Sequence, residues 1–231
     1  MKEHANLSDP RVIASEFVAE IRALPAKHTP NDARAIRRRY SRELKGASPE
    51  FILELARELF GKYGRRWLAY EFITNHRAAF QSIGEAELEE FGQGMDSWGS
   101  VDCFGRGLAG PTWLNGQVLD ELIHKWAYSE DRWWRRAALV STVALNVKVS
   151  GGTGDTERTL EVCRILVDDH DDMVVKALSW ALRVLVPHDP KAVREFLAAY
   201  DERLAARVKR EVGNKLTTGL KNPRATLYEH R

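Results

Sequence analysis

A weak internal period, carried by helical patterning, constrains this chain more than any single motif. Arg136-Ala137-Ala138 returns as Lys176-Ala177-Leu178 about forty positions later, within the range of helix-pair repeats. The segment around Trp98 stands a similar distance before the first of these, and Arg66-Trp67-Leu68-Ala69-Tyr70 fits a preceding unit. After Pro49, apolar residues recur at helical spacing as Phe51, Ile52, Leu55, Leu59 and Phe60, with Ser48 as a cap and Gly61 as a stop. The same spacing predicts helices from Arg65 to Phe80, Ala86 to Phe91, Ser97 to Leu108 and Gly116 to Tyr128. It predicts four more from Trp133 to Val147, Thr156 to Val167, Met173 to Leu185 and Ala192 to Tyr200. Alternating strand patterns bounded by turn pairs are scarce, so the chain reads as all-α.

One helix pair cannot bury its apolar stripe alone, whereas stacked pairs share a continuous core and generate a curved surface. The expected architecture is therefore an α-α superhelix of HEAT-like helix-pair repeats with a concave face, lined by the cation-bearing second helices. A single domain would span residues 1–231, with roughly the first thirty residues at its periphery. A compact helical bundle is the competing architecture. The 44% apolar content supports a real core. A net charge of +2 does not identify a polyanionic partner, but its distribution is uneven. Arg34, Arg37, Arg38, Arg39, Arg42 and Lys45 make the early chain basic, while Glu85, Glu87, Glu89, Glu90 and Asp96 make a later stretch acidic.

Several chemistries find no support. Cys103 and Cys163 lack companions at metal-ligand spacing and read as reduced core thiols. The seven histidines show no HExxH spacing, so no metal is expected. Ser150-Gly151-Gly152-Thr153-Gly154-Asp155 lacks the Lys-Ser/Thr that a phosphate cradle requires and reads as a loop. Neither a signal sequence nor a stretch long enough to span a membrane is evident.

The residues with chemical content lie in three segments. In Ser97-Trp98-Gly99-Ser100-Val101-Asp102, the tryptophan and the aspartate are four positions apart and share a helix face. An aromatic plate beside a carboxylate suits a flat or sugar-like group on which positive charge must be stabilised. Trp133-Trp134-Arg135-Arg136-Ala137-Ala138 and Lys176-Ala177-Leu178-Ser179-Trp180-Ala181-Leu182-Arg183 add tryptophans and cations. Each residue also has a plain structural reading. A helical tryptophan such as Trp67 is usually core, and Asp102 and Arg136 could serve as partners in salt bridges between repeats.

In order and spacing, these three segments resemble the DNA alkylation repair glycosylases of the AlkD type. The resemblance covers most of the chain from about Pro30 to Pro223. It departs at Gly99, where the family often carries an acid, and at the N-terminus, which lacks the family's aromatic-rich opening. The resemblance implies excision of N3- or N7-alkylated purines from double-stranded DNA in base excision repair, without metal or organic cofactor and without insertion of the base into a pocket. Asp102 would stabilise the sugar cation or orient water, Trp98 and Trp180 would pack on the deoxyribose, and Arg136 would hold a phosphate. Further DNA contacts would come from Arg135, Lys176, Arg183, Lys215 and Lys221, and from Arg37, Arg38 and Arg39 on the basic segment. The implied protein is a cytoplasmic monomer of bacterial type, on the nucleoid when bound to DNA. The alternatives are a non-catalytic relative that binds damaged or branched DNA, and a repeat scaffold for another protein.

Overall fold

The computed structural model describes residues 9–223, and among them every regular element is a helix. In chain order these are α1 (Pro10–Arg22), α2 (Pro30–Glu43), α3 (Pro49–Gly61), α4 (Arg66–Thr74), α5 (Arg77–Gln81), α6 (Glu85–Gly92) and α7 (Trp98–Phe104). A π-turn (Gly105–Ala109) joins α7 to α8 (Gly110–Leu114). Then come α9 (Asp120–Ala127), α10 (Arg132–Asn146), a 3-10 turn (Lys148–Ser150), α11 (Thr156–Ile165), α12 (Asp172–Leu185), α13 (Pro190–Ala199) and α14 (Ala206–Thr218). Side-chain oxygens of Asp9, Ser48, Ser97, Asp131, Asp155, Asp171 and Asp189 cap helix N-termini. Each such cap contributes about 1 kcal/mol.

These helices stack as an α-α superhelix. One row runs α4, α7–α8, α10, α12, α14, each packing on the next, while α3, α9, α11 and α13 back it. Helix α10 is the centre of the stack. From Arg136 to Asn146 it has no exposed position, and the small Ala137 and Ala138 let its neighbours approach closely. Its buried hydroxyls are satisfied locally, Ser141 donating to the Ala137 carbonyl and Thr142 to that of Leu139.

Within the segment before Pro30, the described residues 9–29 are not peripheral, and residues 1–8 lie outside the described residues. Helix α1 buries Ala14, Phe17, Val18 and Ile21 and packs on α3, and Phe17 meets the rings of Tyr40 and Phe72 edge-on. Three expected helix boundaries also move. The stretch from Arg65 to Phe80 breaks at Asn75-His76, because the Asn75 amide turns back onto the Glu71 carbonyl and His76 caps a new helix through the Ala79 N–H. The stretch from Gly116 to Tyr128 becomes helical only at Asp120, since Gly116 takes φ +69° in the turn that ends α8.

The helix beginning at Trp98 does not stop at Leu108 but continues through the π-turn to Leu114. Pro111 gives a physical cause for the π-turn. It has no N–H to donate, and its ring would collide with the carbonyl four residues back in a regular helix. Widening the preceding turn relieves that collision. The same segment lies hard against α10, because a Cβ on Gly110 would stand 2.6 Å from the Ser141 carbonyl oxygen and one on Gly105 2.9 Å from Val140.

Candidate active site

The helix row encloses a cleft of about 560 Å3, lined from α4 by Trp67, from α7 by Trp98 and Asp102, and from α12 by Trp180. Arg34 of α2, Glu71 of α4, and Val149 and Ser150 of the 3-10 turn also line it. A second hollow of about 340 Å3 adjoins it, lined by Trp98 and Trp180 again, with Arg136, Lys176, Arg183, Arg207 and Lys221. The two tryptophans thus stand at the junction of one trough. Trp98 is 63% exposed and Trp180 half-buried. The buried indoles are elsewhere, in Trp113 and Trp126. An aromatic side chain left in water at the start of a helix, as Trp98 is, contributes little to the fold, whereas Trp180 also packs against the core.

Asp102 and Arg136 form a bidentate pair between α7 and α10. Nε donates to Oδ1 and Nη2 to Oδ2, both at 3.0 Å, while Nη1 donates to the Met173 carbonyl of α12. The Arg136 side chain is only 6% exposed, against 21% for Asp102. The expectation that Arg136 meets a DNA phosphate is therefore corrected. Its guanidinium is spent inside the protein, holding the carboxylate from behind, and this pair is the inter-repeat bridge that the plain structural reading allowed. Burial pushes the Asp102 carboxyl above the ordinary aspartate range, and the Arg136 charge and hydrogen bonds oppose that shift without cancelling it. What remains of Asp102 faces the cleft.

The other cations divide sharply. Arg37 is buried, and burial pulls its guanidinium below its ordinary range while it bonds Glu71 at 3.2 Å. Arg39 is held by Glu20. Arg135 donates to Asp169 at 2.6 Å and to the carbonyls of Ser129 and Glu130. Lys215 is turned onto the Gly219 carbonyl at 2.7 Å. Each of these four is thus engaged by an acceptor of the protein itself, closing a contact between elements or within a local turn. Arg38 is exposed and lines a shallow basic hollow with Arg42 and Lys45.

Lys176, Arg183 and Lys221 do line the trough. Lys176 pairs with Asp172 at 2.5 Å, and Lys221 with Glu211 at 3.4 Å. Glu211 is a buried acid that the sequence reading did not single out. Ser179 donates to it at 2.6 Å, and Arg183 and Arg207 lie within 4.0 Å. Burial acts to raise its pKa, but the Ser179 hydrogen bond and these cations outweigh burial and hold it below the ordinary range.

Two more trough residues were missed. Trp67 is half-buried, packing against the core on one side and lining the cleft on the other, with the Arg34 guanidinium 4.9 Å over its ring. Arg106 is exposed and lines the cleft beside Asp102. Cys103 is also half-buried in this wall, and burial together with the Asp102 charge raises its thiol pKa. Only Cys163 is the core thiol expected. The glycine-rich loop is packed rather than open, because a Cβ on Gly152 would stand 2.2 Å from the Ala144 carbonyl oxygen.

A family model for DNA alkylation repair enzymes matches residues 28–216, a span containing every element from α2 to α13 and most of α14. The chain belongs to the DNA alkylation repair enzyme family. No curated protein and no solved structure matches it. Membership carries a role in DNA repair for this chain, and the trough with its lining tryptophans and the anchored Asp102 carboxylate is the feature to which that role has to be related. Among the described residues, no helix of this family member is long and apolar enough to cross a membrane.

Proposed function

We propose that the protein is a DNA glycosylase that releases N3- or N7-alkylated purines from double-stranded DNA. The observation that carries this reading is a carboxylate, Asp102, fixed by Arg136 at the wall of an open cleft that Trp98 and Trp180 also line. Alkylation at N3 or N7 leaves the purine positively charged, so it departs with the electron pair of its glycosidic bond and becomes neutral. The sugar left behind is an oxocarbenium ion. A fixed anion beside it lowers the barrier, because the site is oriented before the charge develops. Water then adds at C1′ and loses its proton, for which the Asp102 carboxylate is the acceptor at hand.

Trp98 and Trp180 pack on the deoxyribose, where an aromatic face also favours the cationic sugar. Arg136 acts on the reaction only through Asp102, keeping its oxygens in one orientation. Lys176, Arg183 and Lys221 meet backbone phosphates along the trough, and such contacts position a duplex without reading its sequence. The leaving group is already activated, so this chemistry calls for no metal or organic cofactor.

The experiment is release of methylated purine from duplex DNA under single-turnover conditions. Asp102→Asn nearly preserves shape and one acceptor for Arg136 but removes the charge. Its rate is expected to fall about 10²- to 10³-fold, the range for losing one electrostatic stabiliser. Native release rates in that variant would remove the catalytic role. DNA binding without any release by the native protein would instead support a non-catalytic damage binder.

A further inference from the structure

Helix α7 and the π-turn after it present a third polar side chain beside Trp98 and Asp102. Arg106 is exposed and lines the same cleft. Arg135 is engaged by Asp169 and Arg136 by Asp102, whereas among the described residues no acid or carbonyl engages Arg106. The π-turn accounts for its position. Residues there advance around the axis by less than the roughly 100° of an α-helix. Arg106, four positions after Asp102, therefore keeps to the face of Trp98 and Asp102. Gly105, pressed against Val140, holds the backbone of the turn in place.

The trough needs a cation at this point. Every sugar in a duplex is flanked by two phosphates, and a carboxylate turned toward that sugar repels both. Arg136 is only 6% exposed, and its guanidinium is already engaged by Asp102 and the Met173 carbonyl. We infer that Arg106 binds the phosphodiester next to the damaged nucleotide and so positions that nucleotide's sugar against Asp102, a role that rests on the glycosylase reading. An unpaired guanidinium has five N–H donors in a planar fork that matches phosphate oxygens. Its charge also acts on Asp102, favouring the ionised carboxylate.

The test compares the native protein with Arg106→Gln and Arg106→Lys. Binding of undamaged duplex, followed by fluorescence anisotropy across a salt series, should show the slope of log affinity against log salt reduced by about one unit in Arg106→Gln. Arg106→Lys should restore that slope, since it keeps the charge. Single-turnover release from methylated duplex should show the acid limb of the Arg106→Gln pH profile moved to higher pH, because one cation favouring ionised Asp102 is gone. A native salt slope and a native pH profile in Arg106→Gln would overturn the assignment while leaving the glycosylase reading intact. Loss of one unit of slope in a protein that releases no base would uphold Arg106 as a phosphate contact and overturn the enzyme reading instead.

Discussion

Replacing Arg136 with methionine isolates what the Asp102–Arg136 pair does for this fold. Methionine keeps most of the stem's packing and removes the fork that engages Asp102 and the Met173 carbonyl. Breaking a fully buried pair costs about 3–5 kcal/mol, because one charge is left without a partner. Asp102 keeps 21% of its side-chain surface and so retains partial solvation. It can also escape by taking up a proton. From an ordinary aspartate pKa of about 3.9, that route costs about 1.4 kcal/mol per pH unit. Protonation therefore caps the electrostatic loss at about 4 kcal/mol at pH 7 and about 1.5 kcal/mol at pH 5.

With solvation included, the expected loss is about 2–3 kcal/mol at pH 7, a fall in Tm of roughly 4–12 °C for a domain of this size. The sign of the pH dependence follows from what Arg136 does to Asp102. Its charge and hydrogen bonds lower the carboxyl pKa against the upward push of burial, so removing them raises that pKa further and the folded variant binds the proton more tightly than the native protein does. Relative to the native protein, the variant should therefore regain stability as pH falls from 7 toward 5. Adding Asp102→Asn to Arg136→Met removes the orphaned charge, so the double variant should be more stable at pH 7 than Arg136→Met alone. Urea unfolding of all three variants at both pH values provides the data. A loss in Arg136→Met that is the same at both pH values, together with strict additivity in the double variant, would refute the electrostatic account.

Trp98→Ala is expected to change stability by less than about 1 kcal/mol while slowing base release, whereas Trp113→Ala, at 0% exposure, should cost about 3–5 kcal/mol. Equal losses in chemical denaturation would place Trp98 among the structural residues. Gly110→Ala forces a Cβ to 2.6 Å from the Ser141 carbonyl and should move α8 off α10. Thermal melting should record a loss of about 1–3 kcal/mol, and an unchanged Tm would mean that the close approach is not rigid. Glu211→Gln leaves Arg183, Arg207 and Lys221 without their shared acid. Because the Glu211 pKa is depressed in the folded state, its stabilisation is present above the ordinary glutamate range and is lost as pH falls below it. The native protein should therefore lose its advantage over the Gln variant on acidification, and an advantage constant down to pH 3 would contradict that linkage.

Much of this architecture was legible because its causes are local. Apolar residues at helical spacing act within one or two turns and located most of the helices, and the structure adds local capping acids such as Asp155, Asp171 and Asp189 at their starts. Breaks within a periodic stretch were harder to read, since the split at Asn75 depends on one amide competing for a backbone carbonyl. The common placement of three candidate residues was also legible. Trp98, Asp102 and Trp180 lie on helices whose phase the sequence predicts, and the structure brings all three to one cleft.

What the sequence did not disclose is which cations are free. A free arginine and a paired one look alike in a chain, because pairing joins positions one repeat apart. Asp102 and Arg136 are separated by 34 residues, as are Arg37 and Glu71, and Arg135 and Asp169. An acid standing about one repeat from each basic residue was a signal available in principle. It becomes decisive only when stacking turns one helix face toward its neighbour. The sequence by itself determined that this chain forms stacked helices, with tryptophans, the Asp102 carboxylate and cations on three of its segments. Only the tertiary structure decided that Arg136, Arg37 and Arg135 hold the repeats together while Arg106 is left facing the cleft. Burial made that division, since a guanidinium withdrawn from water must find an acceptor within the protein, and one left in the cleft need not.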